Sequence, residues 1–278
     1  MANTNLLAIN DVFDRTQPSS SDRGGRVSLV GAGPGDPELL TLRAYRRIVE
    51  ADVVLYDNLV SPEVLALINP LAEKRYVGKK AAKHALPQSD VNQSLIDLAR
   101  SGHRVVRLKG GDPFIFGRGG EELEALLTAS VPVEVIPGIT AAIGCAAYAG
   151  IPLTHRDWAQ SVTFATGHLK QGLSELDWPA LARPTQTVVF YMGMTAAAGI
   201  AEALMAHGRL PETPVAVIYH GTRPDQKVAI TTLSALSETI KSETIKPPAL
   251  LIVGDVVRLY RPAAATEMPE VSGAPKSV

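Results

Sequence analysis

A segment that combines basic, acidic, apolar and glycine residues, RLKGGDPFIFGRGGEE, runs from Arg107 to Glu122. It follows an apolar stretch, and within it paired glycines precede an acid, a proline and a charged helix start. The pattern predicts a buried parallel strand, a tight turn and a helix. Ligands collect at the carboxyl edge of such sheets, where Gly110 and Gly111 would let backbone amides approach a bound molecule. The turn is therefore the candidate active site, and an ordinary βα loop is the alternative.

Two opposite charges stand at the start of the predicted helix. Arg118 and Glu121 lie three residues apart, so they share a helix face and can form an ion pair. One interpretation is a cation for an anionic substrate beside a carboxylate that handles protons. The other is a solvated surface pair.

Other reactive side chains follow strands elsewhere. Asp57 follows the second predicted strand, and Lys79 follows the third within a small basic cluster, KKAAKH. An Asx-turn for Asp57 and a solvated loop cation for Lys79 are the simpler roles. His168 and His220 also end strands, and local hydrogen bonds are the expected role for both histidines.

Composition limits the classes of function. The chain has 278 residues, 46% hydrophobic and 20% charged, with a net charge of −1. It can form one large or two smaller globular domains, and it gives no support to nucleic-acid binding. The six histidines have no metal-ligand spacing, and Cys145 is expected to be a packed thiol. Without a secretion signal or an apolar run of about 20 residues, a cytoplasmic protein with no membrane partner is expected.

The chain is expected to have four parts. Residues 1–24 would be a flexible extension and residues 263–278 a flexible tail. Between them, alternating strands and helices predict an N-terminal α/β domain over 25–140 and a C-terminal α/β domain over 141–262. The predicted strands are Arg26–Val30, Asp52–Tyr56, Lys74–Val77, His103–Leu108, Val133–Ile136, Val162–Ala165, Thr187–Tyr191, Val215–Tyr219, Lys227–Thr231 and Leu250–Val253.

Helix starts are predicted from local signals. Ser89 or Asp90 would cap a helix that begins near Pro87, and Thr140 would cap a helix of small residues. After the first glycine turn, GAGPGDPELLT, apolar residues at helical spacing predict another helix. That turn matches a dinucleotide fingerprint poorly, because the third Rossmann position is an acid. The apolar residues are Leu39, Leu42, Tyr45, Ile48 and Val49.

Eight segments in order resemble the uroporphyrinogen-III C-methyltransferases: VGAGPGDPELLTLRA, VLYDNLVS, RLKGGDPFIFGRGGEE, VIPGITAA, GIPLTHRD, FYMGM, HGT and PALLIVGDVV. The resemblance implies the α/β tetrapyrrole methylase fold, with two domains and an active site in the cleft between them. It implies a homodimer that uses S-adenosylmethionine and releases S-adenosylhomocysteine. The implied reaction converts uroporphyrinogen III to precorrin-2 through precorrin-1, by methylation at C-2 and C-7, for sirohaem, cobalamin or haem d1.

The resemblance also assigns roles by position. Asp57 would be the proton acceptor and Lys79 the proton donor, with Glu121 and Arg118 as further catalytic candidates. Arg118, Glu121 and Arg156 would face the tetrapyrrole, whose eight carboxylates suit arginine better than lysine. The implied cofactor-binding residues are Pro34, Gly110, Gly111, Asp112, Ile115, Thr140, Ala141, Met192 and Gly221.

Three other functions remain open. One is a methylase of the same fold that acts on a later corrinoid intermediate or on a modified histidine. Another is a nicotinamide-dependent oxidoreductase, suggested by the first glycine turn. The third is a tetrapyrrole carrier without catalytic activity, which the number of cofactor-type turns disfavours.

Overall fold

The computed structural model describes residues 24–78, 87–167, 173 and 176–261. Lys79 with its basic cluster, His168, the predicted tail and nearly all of the predicted N-terminal extension lie outside these residues. The chain divides into two compact units, Met1–Gly138 and Ile139–Val278. The predicted boundary lay after residue 140, and the four-part domain assignment as a whole stays a prediction.

The first unit contains a five-stranded parallel sheet in the order β3-β2-β4-β1-β5. Strand β4 lies at its centre, as the apolar run before Gly110 predicted. The parallel direction brings the carboxyl ends of all the strands to one edge. The strands are β1 Arg26–Gly31, β2 Val53–Tyr56, β3 Glu73–Tyr76, β4 Arg104–Lys109 and β5 Val133–Ile136.

Helices cover both faces of this sheet. Apolar side chains alternate between the faces, so Val105 packs in one buried cluster and Val106 in the other. A 3-10 turn at Pro37–Leu39 follows the first glycine loop. The α-helices are α1 Leu42–Glu50, α2 Pro62–Ala66, α3 Gln88–Arg100 and α4 Gly119–Thr128.

Two of the helix predictions need correction. Helix α3 begins directly after Pro87 and has no side-chain cap, so neither Ser89 nor Asp90 caps it. Proline presets the backbone there and supplies no amide that would need a partner. Helix α1 forms as predicted, but it buries Ala44 and Ile48. The apolar residues that face solvent on α1 are Leu42, Tyr45 and Val49.

The second unit contains a mixed five-stranded sheet in the order β6-β7-β10-β8-β9. Strands β6 and β7 are parallel, and the other neighbours are antiparallel. The strands are β6 Ser161–Thr166, β7 Gln186–Tyr191, β8 Pro214–Tyr219, β9 Lys227–Thr232 and β10 Ala249–Val253. The helices are α5 Ala141–Tyr148, α6 Trp178–Leu181, α7 Ala197–Ala206 and α8 Leu236–Ser242, and a 3-10 helix spans Asp255–Leu259.

Apolar clusters fill both faces of the second sheet. One cluster is centred on Phe190 and includes Ile200 of α7. The other includes Cys145 of α5 together with Val189 and Ile252. The alternating α/β prediction is thus confirmed in each unit, and the helix of small residues, α5, packs directly on the second sheet. Among the described residues no helix is long and apolar enough to cross a membrane.

Candidate active site

Three loops of the first unit meet at the carboxyl edge of its sheet. The loops after β1 and β4 are joined by two backbone hydrogen bonds, from Gly33 N to Gly111 O at 3.2 Å and from Gly111 N to Gly33 O at 2.7 Å. Both glycines have left-handed φ angles, +70° and +69°. A Cβ on Gly31 would lie 2.5 Å from Gly138 N, so the loop after β5 also packs here. Glycine is required because the backbones touch.

The carboxylate of Asp112 fixes the position of the central loop. Its Oδ1 accepts a hydrogen bond from Phe114 N at 2.8 Å, and its Oδ2 accepts one from Gly138 N at 3.0 Å. Two loops are thereby tied together at the predicted cofactor turn. Each carboxylate oxygen can accept a further bond, so a ligand contact by Asp112 stays a prediction.

The other cofactor residues predicted in this unit lie on the same edge. Pro34, Gly110 and Ile115 are half-buried. A Cβ on Gly110 would lie 2.6 Å from Leu59 Cβ, so the loop that carries Asp57 packs against the glycine pair. The fold therefore brings Asp57 next to the predicted cofactor turn.

Arg118 and Glu121 form the ion pair that their spacing predicted. Arg118 Nε donates to Glu121 Oε1 at 2.8 Å, and its second nitrogen donates to Oε2 at 2.6 Å. Hydrogen bonding to Glu121 raises the pKa of Arg118. Both side chains are more than half exposed, so the pair contributes little to stability. Arg118 also has φ 60°, a left-handed conformation that costs energy in a residue with a side chain.

Asp57 makes the predicted Asx-turn and a second contact that was not predicted. Its Oδ1 accepts a hydrogen bond from Leu59 N at 3.0 Å. Its Oδ2 lies 3.2 Å from a terminal nitrogen of Arg107. The predicted Asx-turn is confirmed, and the proton-acceptor role of Asp57 stays a prediction. Lys79, the predicted proton donor, is not among the described residues.

The buried charges behind Asp57 were not predicted from the sequence. Arg107, Lys109 and Glu122 are 6%, 3% and 0% exposed. Glu122 lies in the first turn of α4, and its side chain points into the protein. The signal was present in β4, because Arg107 and Lys109 lie two residues apart and so point to the same face of the strand as the buried Val105. Such a pair requires a buried acid as its partner.

In the second unit, Tyr191 organises the start of α5. Thr140 precedes the helix as predicted, but its hydroxyl makes no cap hydrogen bond, so that prediction was wrong. The Thr140 hydroxyl lies 2.5 Å from the Tyr191 hydroxyl, which accepts a hydrogen bond from Ala142 N at 2.9 Å. Tyr191 of β7 therefore accepts the helix-start hydrogen bond that a side-chain cap would accept. The same hydroxyl holds Thr140 in position next to Ala141.

The YMGM loop begins at Tyr191, the last residue of β7. Met192 has φ 53° and is 48% exposed, an unusual combination for a methionine. A Cβ on Gly167 would lie 2.6 Å from Gly193 Cα, so the loops after β6 and β7 touch at two glycines. Met192 is thus held outward in a strained turn, where it is available to a ligand.

The HGT loop after β8 packs on α5. A Cβ on Gly221 would lie 2.2 Å from Cys145 Sγ. Cys145 is buried and free, as predicted, and burial raises the pKa of its thiol to about 12. His220 and Thr222, on either side of Gly221, both have left-handed φ angles. His220 Nδ1 lies 2.6 Å from Asp225 Oδ2, in agreement with the local hydrogen bonding expected for it.

Arg156 lies on the loop that precedes β6. Its side chain is exposed, and its carbonyl accepts a hydrogen bond from Gln160 Nε2 at 2.8 Å. Backbone pairing between His155 and Ala159 closes this loop. Within the part of the chain that the structure describes, no hydrogen bond or ion pair joins the Arg156 side chain to another predicted site residue.

Backbone strain marks the same loops. Seven non-glycine residues among those described have positive φ, and five of them lie in the loops named by the predictions. Strain of this kind concentrates at functional sites, where the surrounding structure maintains it. The five are Phe116, Arg118, Met192, His220 and Thr222.

Comparisons with known proteins support the family resemblance that the sequence motifs indicate. Residues 26–237 match the family model of the Tetrapyrrole (Corrin/Porphyrin) Methylases. A siroheme synthase from Thioalkalivibrio sulfidiphilus is 56% identical over 239 residues, which are 86% of this chain and 49% of that protein. The chain spans about half the length of the curated relatives it matches.

Solved structures of known methyltransferases are similar to this chain. The uroporphyrin-III C-methyltransferase of Thermus thermophilus, complexed with S-adenosylhomocysteine, is 46% identical with a TM-score of 0.73. The match covers 85% of this chain and 100% of that one. A cobalt precorrin-4 methyltransferase is 30% identical with a TM-score of 0.76, and covers 87% of this chain and 98% of that one. The two-domain α/β fold class predicted from the motifs is confirmed. The chain belongs to the tetrapyrrole methylases, and the predicted membership of their uroporphyrinogen-III C-methyltransferase group is confirmed with it.

Proposed function

We propose that the chain is an S-adenosylmethionine-dependent C-methyltransferase that converts uroporphyrinogen III to precorrin-2 through precorrin-1, by methylation at C-2 and C-7. The observation that carries the proposal is the similarity to the Thermus thermophilus enzyme over that enzyme's full length. Most of the motifs that carry the family resemblance lie at strand-end turns, which are the usual ligand sites of α/β sheets.

The residues assigned to the cofactor suit S-adenosylmethionine. In the first unit, Gly111 pairs with Gly33 and Gly110 packs against Leu59, so the turn has a fixed shape at the carboxyl edge of the sheet. In the second unit, the Gly221 backbone lies against Cys145, and Met192 offers an exposed thioether. Backbone groups and soft apolar side chains of this kind would contact the adenosine and methionine parts of the cofactor. The assignment is Pro34, Gly110, Gly111, Asp112, Ile115, Thr140, Ala141, Met192 and Gly221.

The chemistry requires alignment and one proton acceptor. When bound, S-adenosylmethionine supplies a methyl group that an electron-rich pyrrole carbon can attack. The protein chiefly has to hold the two molecules in line, which alone can supply several kcal/mol. The methylated ring then loses a proton from a neighbouring meso carbon. Asp57 carries this role in the proposal, because Arg107 and the Leu59 amide hold its carboxylate in one position.

Arginines would recognise the acidic substrate. Arg118 and Arg156 are both exposed, and the net charge of −1 provides no general attraction for a substrate with eight carboxylates. Glu121 holds the Arg118 guanidinium in one orientation, so Glu121 would orient the arginine or accept a proton beside it. If Glu121 only orients Arg118, the two single alanine variants should resemble the double variant. If Glu121 accepts the proton, its alanine variant should bind both ligands and turn over slowly.

The remaining predictions belong to the same proposal. The homodimer and the proton-donor role of Lys79 are supported by the motif resemblance, and the cytoplasmic location stays a prediction from the sequence. The names of the curated relatives favour sirohaem as the end product. Because the chain spans about half of those relatives, only the methylation reaction is proposed for it.

The proposal is tested by assaying the protein with S-adenosylmethionine and several acceptors in the absence of oxygen. Uroporphyrinogen III should gain the mass of one and then two methyl groups, with matching release of S-adenosylhomocysteine. Methylation of a later corrinoid or of a protein histidine, with uroporphyrinogen III unchanged, would reject the proposed substrate. Tight binding of a nicotinamide cofactor without binding of S-adenosylmethionine would reject the proposed cofactor.

A further inference from the structure

A chain of alternating charges runs from the protein interior to Asp57. Glu122 is fully buried, and its Oε1 accepts hydrogen bonds from Arg107 Nε at 3.1 Å and from Gln88 Nε2 at 3.2 Å. Lys109 Nζ lies 2.9 Å from Glu122 Oε2.

Arg107 is the link between this interior pair and the surface. Its guanidinium donates to Glu122 through Nε, to Leu108 O at 3.0 Å and to Asp57 Oδ2 at 3.2 Å. Each of these bonds uses a different nitrogen of the guanidinium, which is one rigid, planar group. Rotating the guanidinium away from Glu122 would break the bond to Asp57, because the plane moves as a unit.

Stability alone gives a poor account of so many buried charges. Burial lowers the pKa of Lys109, and the nearby charge of Arg107 lowers it further, whereas Glu122 and Asp57 favour the charged form. Buried ion pairs are commonly no more stabilising than apolar side chains of similar volume. Asp57 is the most exposed member of the chain, with a side chain 21% exposed beside the glycine turn. The accessible end of this chain of charges is therefore Asp57, the carboxylate proposed to accept the proton.

We propose that Glu122 is a positioning residue for the methylation reaction: held by Lys109 and Gln88, it fixes the Arg107 guanidinium against Asp57 and so orients the proton-accepting carboxylate. This inference rests on the proposed function. Glu122 itself touches neither substrate nor cofactor in this scheme. It acts through Arg107, and no residue role assigned by the motif resemblance includes it.

The test uses a variant that leaves no buried charge without a partner. Glu122→Met with Lys109→Met removes one negative and one positive charge together, so the interior stays neutral while Arg107 Nε loses its acceptor at position 122. The single-turnover rate should fall roughly tenfold to a hundredfold, because small misplacements of reacting groups have effects of this size. The dissociation constant for S-adenosylmethionine and the KM for uroporphyrinogen III should each stay within about twofold, well short of the tenfold change that 1.4 kcal/mol would produce.

A double-mutant cycle separates positioning from general damage. In an Asp57→Asn background, the Glu122 and Lys109 changes should have almost no further effect on the residual rate, since Glu122 acts through Asp57. An equal fractional loss in both backgrounds would mean general structural damage and would overturn the inference. A wild-type rate in the neutral pair variant would overturn it as well.

The crystal structure of the pair variant gives a readout that needs no activity. The Arg107–Asp57 contact should open beyond hydrogen-bond distance, and retention of the 3.2 Å contact would reject the inference. If wild-type protein does not methylate uroporphyrinogen III, the proposed function fails, and this structural result still decides whether Glu122 positions Arg107.

Discussion

Replacing Gly221 by alanine should loosen the second unit where the HGT loop packs on α5. Gly221 does not have a left-handed backbone, unlike its neighbours His220 and Thr222, so alanine brings no backbone strain. The cost comes from contact alone. The new Cβ would lie 2.2 Å from Cys145 Sγ and 2.7 Å from Cys145 Cβ.

The size of the effect follows from these distances. Non-bonded carbon atoms prefer separations of about 3.5–4.0 Å, so the loop and the helix must move apart by more than about 1 Å. Overpacking of a tight contact typically costs about 1–3 kcal/mol. The free energy of unfolding should fall by that amount. Affinity for S-adenosylmethionine should fall as well, because the displaced loop is an assigned cofactor contact.

Urea denaturation and calorimetric titration with S-adenosylmethionine measure the two effects. Cys145→Gly removes both clashing atoms and leaves Cys145 Cα at 3.3 Å, so Gly221→Ala should cost much less in that background. Gly120→Ala is the matched stability control, since a Cβ there has no heavy atom within 4 Å. Equal losses from Gly221→Ala with and without Cys145 would refute the steric explanation.

Three further predictions concern single side chains. Burial raises the pKa of Glu134, but hydrogen bonds led by the one from Arg47 bring it down from 4.5 to about 2. Because its folded-state pKa is depressed, ionised Glu134 stabilises the protein above pH 4.5. The difference in free energy of unfolding between wild type and Glu134→Gln should therefore shrink by about 3 kcal/mol as the pH falls toward 2. Urea denaturation at each pH measures this difference. Asp112→Ala should weaken S-adenosylmethionine binding by roughly tenfold to a hundredfold, as expected for a lost charged hydrogen bond, and calorimetry with an unchanged dissociation constant would remove Asp112 from the site. Tyr191→Phe should lower the free energy of unfolding by about 1–3 kcal/mol, because it leaves polar groups at the start of α5 without their partner, and denaturation equal to wild type would contradict this.

Local patterns predicted most of the fold. The strand Val133–Ile136 was predicted with its observed bounds, and β4 was placed correctly from an apolar run that ends in glycines. Local patterns were less informative about which helix face is buried. Apolar spacing predicted α1 and included Ile48, which is buried, but it missed Ala44, which also packs inward. Which side of the helix faces the sheet is a relation that only the folded chain defines.

The sequence predicted which loops form the candidate site. It did not predict the contacts that join residues far apart in the sequence. Tyr191 reaches helix α5 across 49 residues of sequence, and no local signal joins the two. Arg107 and Glu122 could have been paired from the rule that a buried cation requires an acid. The contact of Gly221 with Cys145 depends on how a loop packs on a helix, which spacing alone does not specify.

The position of the transferred methyl groups tests the central claim most directly. The protein should be incubated with uroporphyrinogen III and S-adenosylmethionine carrying carbon-13 in its methyl group, and the product examined by NMR. Enriched methyl signals at C-2 and C-7, with a singly methylated intermediate at short times, are the predicted result. Bound S-adenosylmethionine without any methyl transfer to uroporphyrinogen III, or transfer to other ring positions, would contradict the proposed function.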